Sequence, residues 1–118
     1  LKHTSNTIKM KLIYVFSSTI LFGLLHCVTG WNTYRFLTTA AIGFSFAVIF
    51  VQSGNIVLPM ILHFVYDMLV HITGFMQWNH NPFFDAVCVF AEVFYILMFV
   101  VSLIILIYSP HLNKKIVC

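Results

Sequence analysis

Four long apolar runs separated by short polar joints dominate this sequence. We place them at Leu12–Thr29, Phe36–Gln52, Ile56–Ile72 and Phe84–Tyr108. Each is near or above the roughly 17–25 residues that a helix needs to cross a membrane. Of the 118 residues, 61% are hydrophobic and 8% are charged, whereas soluble domains carry about 25% charged residues. The sequence therefore predicts an all-α, polytopic membrane helix bundle of about four transmembrane helices and excludes a water-soluble domain.

The four runs predict a single membrane domain over residues 1–118, without a soluble domain or an internal repeat. The first residue is Leu1, and the first eleven residues lack the order of a signal peptide. We therefore expect the C-terminal part of a longer domain. The odd number and wide spacing of the cysteines argue against a disulfide framework or a zinc knuckle and favour free thiols. They are Cys27, Cys88 and Cys118.

The basic residues predict the orientation of the bundle. Five of the six precede the first run or follow the fourth, and four spans place these two ends of the chain on one side of the membrane. They are Lys2, Lys9, Lys11, Lys114 and Lys115. Arg35 alone lies on the opposite side. By the positive-inside rule both termini are cytoplasmic, and Trp31, Tyr34 and Trp78 fall at the far interface. The net charge of +3 indicates contact with membrane lipid, not binding of nucleic acid.

His63 and Asp67 are two ionisable residues in the third apolar run. Four residues apart in a helix, they are surface neighbours with roughly 6 Å between their β-carbons. An uncompensated Asp in a membrane costs on the order of 3 kcal/mol or more, so such residues are functional candidates. The structural alternative is that Asp67 holds a histidine in a hydrogen-bonded pair. His71 lies about 80° around the helix from His63, nearer the interface, where a structural role is expected.

His26, alone in the first run, is the expected partner of this pair. Taken alone it could be a packing residue bonded to a nearby carbonyl. Ideal helices place His26 about 22 Å beyond Lys11, and His63 about 13 Å beyond Gly54 on the same side. Tilt or shifted helix ends must close this difference in depth if the two histidines meet.

Two acidic residues lie in the fourth run. Asp85 follows Asn81-Pro82 at a predicted helix start, where a carboxylate favours the helix dipole. Glu92 lies deeper and has no evident partner in the sequence. In the second run, the spacing of Gly43 and Ala47 predicts a close approach of two helices.

Two motifs occur in order along the chain. Phe22 precedes His26 by four residues, and Ser53-Gly-Asn-Ile-Val-Leu-Pro leads to His63 and, four residues later, Asp67. From Ser17 to Gly74 the chain resembles the CPBP family of intramembrane proteases. That family groups CAAX prenyl endopeptidases with bacterial bacteriocin-processing and immunity (Abi) proteins. The pairs match its second and third motifs, Phe-xxx-xxx-xxx-His and His-xxx-xxx-xxx-Asn/Asp.

The resemblance implies endoproteolysis by a glutamate-activated water, with His26, His63 and Asp67 as catalytic residues. His26 would help a glutamate orient and deprotonate the water. His63 and Asp67 would lie opposite, stabilising the oxyanion or binding a metal. No cofactor is required by the sequence, but two histidines and a carboxylate suffice for zinc with an open position, so the three residues are also candidate zinc ligands. An ionised Asp67 accepts hydrogen bonds only, which favours orienting His63 or binding metal.

The first motif of the family, Glu-Glu-xxx-xxx-xxx-Arg, has no match before Glu92. We therefore expect an incomplete catalytic core, inactive without upstream helices of a parent chain. Its partners would be membrane lipid and membrane-associated peptide or prenylated protein substrates, in a bacterial plasma membrane. The alternative is a non-catalytic pseudo-protease that confers bacteriocin immunity or binds a partner. Haem ligation by His26 and His63 is a further alternative, but it gives no reason for Asp67.

Overall fold

The computed structural model describes the backbone of residues 2–76 and 82–112, and the side chains of 8–72 and 82–108. It contains four helices: α1 (Lys2–His26), α2 (Thr33–Ser53), α3 (Val57–Met76) and α4 (Pro82–Leu112). No strand occurs within the described residues, and the predicted all-α class is confirmed. Trp78, Lys114, Lys115 and Cys118 lie outside the described residues.

Local signals set the ends of α2 and the start of α3. The Asn32 side chain caps α2 by accepting a hydrogen bond of 2.9 Å from the Arg35 backbone N–H. Gly54 ends α2 with φ of 65°, a left-handed conformation that glycine adopts without strain. The Asn55 side chain then accepts a 2.9 Å bond from the Val57 N–H. These caps turn the chain within three residues, so α2 and α3 form a tight helical hairpin.

The start of α4 is also readable from its sequence. Pro82 is its first residue, where the missing N–H leaves no helical bond unmade. Asp85 lies in the first turn, as predicted for a carboxylate that favours the helix dipole.

Helix α2 is the centre of the bundle and packs against α1, α3 and α4, its most extensive contact being with α1. Gly43 and Ala47 are both buried in it, where a close approach of helices was predicted. The core consists of Val15 from α1 with Phe44, Ala47 and Val48 from α2. Phe99 of α4 packs against this core.

The outer surface of the bundle is apolar. Large side chains such as Phe16, Phe64, Phe90 and Ile96 are each more than half exposed, which a water-soluble monomer rarely tolerates over a wide area. Within the described residues, α1, α2 and α4 are long and apolar enough to cross a membrane. The apolar part of α3, Val57–Ile72, is shorter. The chain is an integral membrane protein, and a fourth full span at α3 stays a prediction.

Candidate active site

His26 is the last residue of α1 and is half-buried. Its Nδ1 lies 2.8 Å from the carbonyl oxygen of Phe22, one turn earlier. A carbonyl oxygen can only accept a hydrogen bond, so Nδ1 is the donor. In the neutral ring this leaves the lone pair on Nε2, which is the atom able to accept a proton from a bound water.

His63 and Asp67 form the predicted pair on α3. The distance between His63 Nε2 and Asp67 Oδ2 is 3.3 Å. Their side chains are 35% and 51% exposed, so the pair opens on a cavity and is not enclosed in the core. With Asp67 ionised, Nε2 is the donor and the ring is held in one orientation.

An aromatic cluster joins the two histidines. The ring centroid of Phe22 lies 4.5 Å from that of His26 and 5.2 Å from that of His63. Phe46 of α2 contacts the same rings, at 6.1 Å from Phe22 and 5.5 Å from His63. The two imidazoles are themselves 6.3 Å apart. Phe22 therefore packs against both histidine rings and sets the distance between them.

The expected difference in depth does not keep His26 and His63 apart, since their ring centroids are 6.3 Å from each other. Phe46 precedes Gly54 by eight residues and His63 follows it by nine, so the α2–α3 hairpin places them at the same level. Phe22 meets both at that level, and His26 lies one turn beyond.

These side chains share an open cavity of about 530 Å³ between α1, α2 and α3. His71, expected to be structural, lies on its wall. The polar and charged residues that line it are His26, Asn32, Tyr34, Arg35, Thr38, Thr39, His63, Tyr66, Asp67 and His71. Asp67 is the single carboxylate among these described residues, beside several groups that can carry positive charge.

The other sequence candidates are not among the residues that line this cavity. Glu92 is exposed on α4 and is not among the residues lining the cavity. Cys27 and Cys88 are free thiols, as predicted. Among the described residues, no group of three His, Cys, Asp or Glu side chains is placed to hold a metal ion. The predicted zinc ligands His26, His63 and Asp67 do not form such a group.

Sequence reasoning did not identify Tyr66 or the polar residues of α2 that line the cavity. Tyr66 lies three residues after His63, and this spacing on a helix places it beside the pair. That signal was available in the sequence. Asn32, Thr38 and Thr39 line the cavity because of how α2 packs, and no spacing in the sequence indicates this.

Comparison with known families identifies the family of the chain. Residues 1–69 match the family described as type II CAAX prenyl endopeptidase, Rce1-like, which is more than half of the 118 residues. The chain belongs to this Rce1-like family. The predicted resemblance to CAAX-type intramembrane proteases is thereby confirmed at the level of the family.

The Rce1-like match contains His26, His63 and Asp67 and ends before His71 and α4. Membership in this family of endopeptidases supports a protease function of the CAAX type for the chain. No curated protein and no solved structure shows a significant match to it.

Proposed function

We propose that this chain is part of the catalytic core of an intramembrane endopeptidase that hydrolyses membrane-associated peptides or prenylated precursors. The observation that carries the proposal is the convergence of His26 from α1 and the His63–Asp67 pair from α3 around Phe22. His26 and Asp67 are 41 residues apart in the sequence and line one cavity.

In this proposal, His26 acts on the attacking water. Its Nδ1–H donates to the Phe22 carbonyl, so Nε2 keeps a free lone pair. This lone pair can accept a hydrogen bond from the attacking water and help a carboxylate base to remove the water's proton. Such general base assistance contributes about 10²–10⁴-fold to the rate.

His63 acts on the other side of the scissile carbonyl. Asp67 fixes the His63 ring through the 3.3 Å contact. As an imidazolium, His63 presents its Nδ1–H and a positive charge to the oxygen on which negative charge develops. The role is that of an oxyanion donor, worth roughly 3–4 kcal/mol.

The carboxylate base is proposed to come from outside the 118 residues, on a helix bearing Glu-Glu-xxx-xxx-xxx-Arg. The only glutamate of the chain, Glu92, is not among the residues lining the cavity. The chain alone would then be inactive, and a complete site would form when that helix packs on the open side of the cavity. We also propose that the protein lies in a bacterial plasma membrane with both termini cytoplasmic, as the positions of the basic residues predict.

A non-catalytic membrane protein, serving bacteriocin immunity or partner binding, is the second candidate. The lack of a glutamate base in the matched segment favours it. The test is cleavage of a membrane-anchored reporter peptide by the full chain, with and without a co-expressed helix carrying Glu-Glu-xxx-xxx-xxx-Arg. Cleavage in the presence of that helix, and its loss when the first Glu is changed to Gln, support the endopeptidase. No cleavage in either case supports the second candidate.

A further inference from the structure

Hydrolysis of a peptide bond requires hydrogen-bond donors for the carbonyl oxygen, and the paired residues supply few. Ionised Asp67 has no proton to donate. A neutral His63 that donates Nε2–H to Asp67 carries a lone pair on Nδ1, so it offers a donor to substrate only when protonated. In its neutral form, the pair leaves the oxyanion without a donor.

The threonines that line the cavity use their protons within α2. The Thr38 hydroxyl donates to the Tyr34 carbonyl at 2.9 Å, and the Thr39 hydroxyl donates to the Arg35 carbonyl at 2.7 Å. Tyr34 and Arg35 belong to the first turn of α2 and are exposed. His71 lies two turns beyond His63, about 12 Å along α3.

Of the donor side chains that line the cavity, Tyr66 is the one nearest to His63 along α3. It follows His63 by three residues, which places it on the same side of α3, and it lines the same cavity. Its side chain is half-buried. None of the hydrogen bonds between described residues uses its hydroxyl, whereas the threonine protons are committed to carbonyls.

The ring of Tyr66 is held by α4. Its centroid lies 4.1 Å from that of Tyr95, with the planes at 77° in an edge-to-face arrangement. Such aromatic pairs contribute about 0.5–1.5 kcal/mol beyond their buried area. Tyr66 therefore has a fixed ring at the cavity wall, as a preorganised donor requires.

We propose that Tyr66 is a catalytic residue that donates its hydroxyl proton in a hydrogen bond to the substrate carbonyl oxygen. The inference rests on the proposed endopeptidase function. Water adds to the carbonyl carbon and gives a proton to the base, and the electron pair of the C=O bond moves to the oxygen held by Tyr66. The carbonyl re-forms as the C–N bond breaks, and the departing amine takes the proton from the base. Tyr66 keeps its own proton throughout.

The first test is the kinetics of Tyr66→Phe in the full chain with the activating helix. This change removes the hydroxyl and keeps the ring that packs on Tyr95. We expect kcat to fall about 10²–10³-fold, the effect of losing one oxyanion donor, with KM little changed. Tyr14→Phe is the matched control: it removes a hydroxyl from a tyrosine of α1 that is not among the residues lining the His26–His63 cavity, and it should retain the wild-type kcat.

The second test measures binding and needs no turnover. A peptide phosphonate, which mimics the tetrahedral oxygen, is compared with a peptide amide of the same sequence. Tyr66→Phe should weaken the binding of the phosphonate by the same factor by which it lowers kcat/KM, and it should leave the affinity for the amide unchanged. Equal phosphonate affinity in wild type and Tyr66→Phe, or equal weakening of both ligands, overturns the proposal. If wild type never cleaves, the endopeptidase function fails, and the phosphonate comparison still decides the role of Tyr66.

Discussion

Gly43 of α2 lies so close to Phe22 of α1 that a β-carbon on Gly43 would be 2.7 Å from the Phe22 β-carbon and 2.8 Å from its Cγ. These are the rigid inner atoms of a side chain whose ring touches both His26 and His63. The absence of a side chain at position 43 therefore allows Phe22 to reach the level of the histidines.

Gly43→Ala should displace Phe22 and disturb the site. Overpacking of this kind costs about 1–3 kcal/mol, and a misplacement of about 1 Å at reacting groups can cost 10²-fold in rate. We expect a lower melting temperature in detergent and a loss of reporter cleavage on that order, both measurable on one preparation.

Gly23→Ala provides the matched control. A β-carbon there would meet the outer ring atoms of Phe36, 2.9 Å away, and the Ala40 β-carbon at 3.0 Å. It tightens the same α1–α2 contact at Phe36 and Ala40 of α2, not between Gly43 and Phe22. Equal loss of cleavage in the two variants at equal stability would assign the effect to helix packing and remove Phe22 from the account.

The second prediction concerns the proximity of His26 and His63. Because their ring centroids are 6.3 Å apart, cysteines at these positions should crosslink with a short bifunctional reagent in membranes. The background must lack the native thiols of Cys27, Cys88 and Cys118. Position 64 is the control, since Phe64 neighbours His63 in sequence but is 66% exposed. Faster crosslinking of 26 to 64 than of 26 to 63 would show that α3 is rotated from the described orientation.

The third prediction is topological. Four spans with cytoplasmic termini place reporters fused after Lys115 and within 79–81 on opposite sides of the membrane. Both fusion points lie outside the described residues, so the measurement is independent of the helix geometry. The prediction depends on α3, whose described apolar part is the shortest. A cytoplasmic reporter within 79–81 and an external one after Lys115 would mean that α3 does not cross, and reporters on the same side would mean that α4 does not cross.

Metal removal separates the two roles considered for the histidines and Asp67. No group of three His, Cys, Asp or Glu side chains among the described residues is placed to hold a metal ion, so His26, His63 and Asp67 are not arranged as zinc ligands. We therefore expect reporter cleavage to continue at an unchanged rate after treatment with a zinc chelator such as 1,10-phenanthroline. Loss of cleavage that added Zn²⁺ restores would instead assign these residues to a metal centre.

The helices and the histidine motif could be predicted because each depends on local spacing. The length of the apolar runs predicts the four helices, and the four-residue spacing predicts that Asp67 lies beside His63. The meeting of His26 and His63 could not be derived that way, since it depends on the tight α2–α3 hairpin and on the space at Gly43. Tyr66 was overlooked although its spacing from His63 was visible, because a tyrosine among apolar residues has a ready explanation as packing.

The most direct test of the central claim is the rate of reporter cleavage by the full chain with its activating helix, in which the histidines are changed singly and together. His26→Ala and His63→Ala should each abolish detectable turnover, and the double variant should be no worse, because residues that act as a unit are not additive. His71→Ala should be tolerated, since His71 is about two turns from His63. Wild-type rates in His63→Ala would contradict the account. Cleavage by the isolated chain that disappears with Glu92→Gln would also contradict it and would make Glu92 the base.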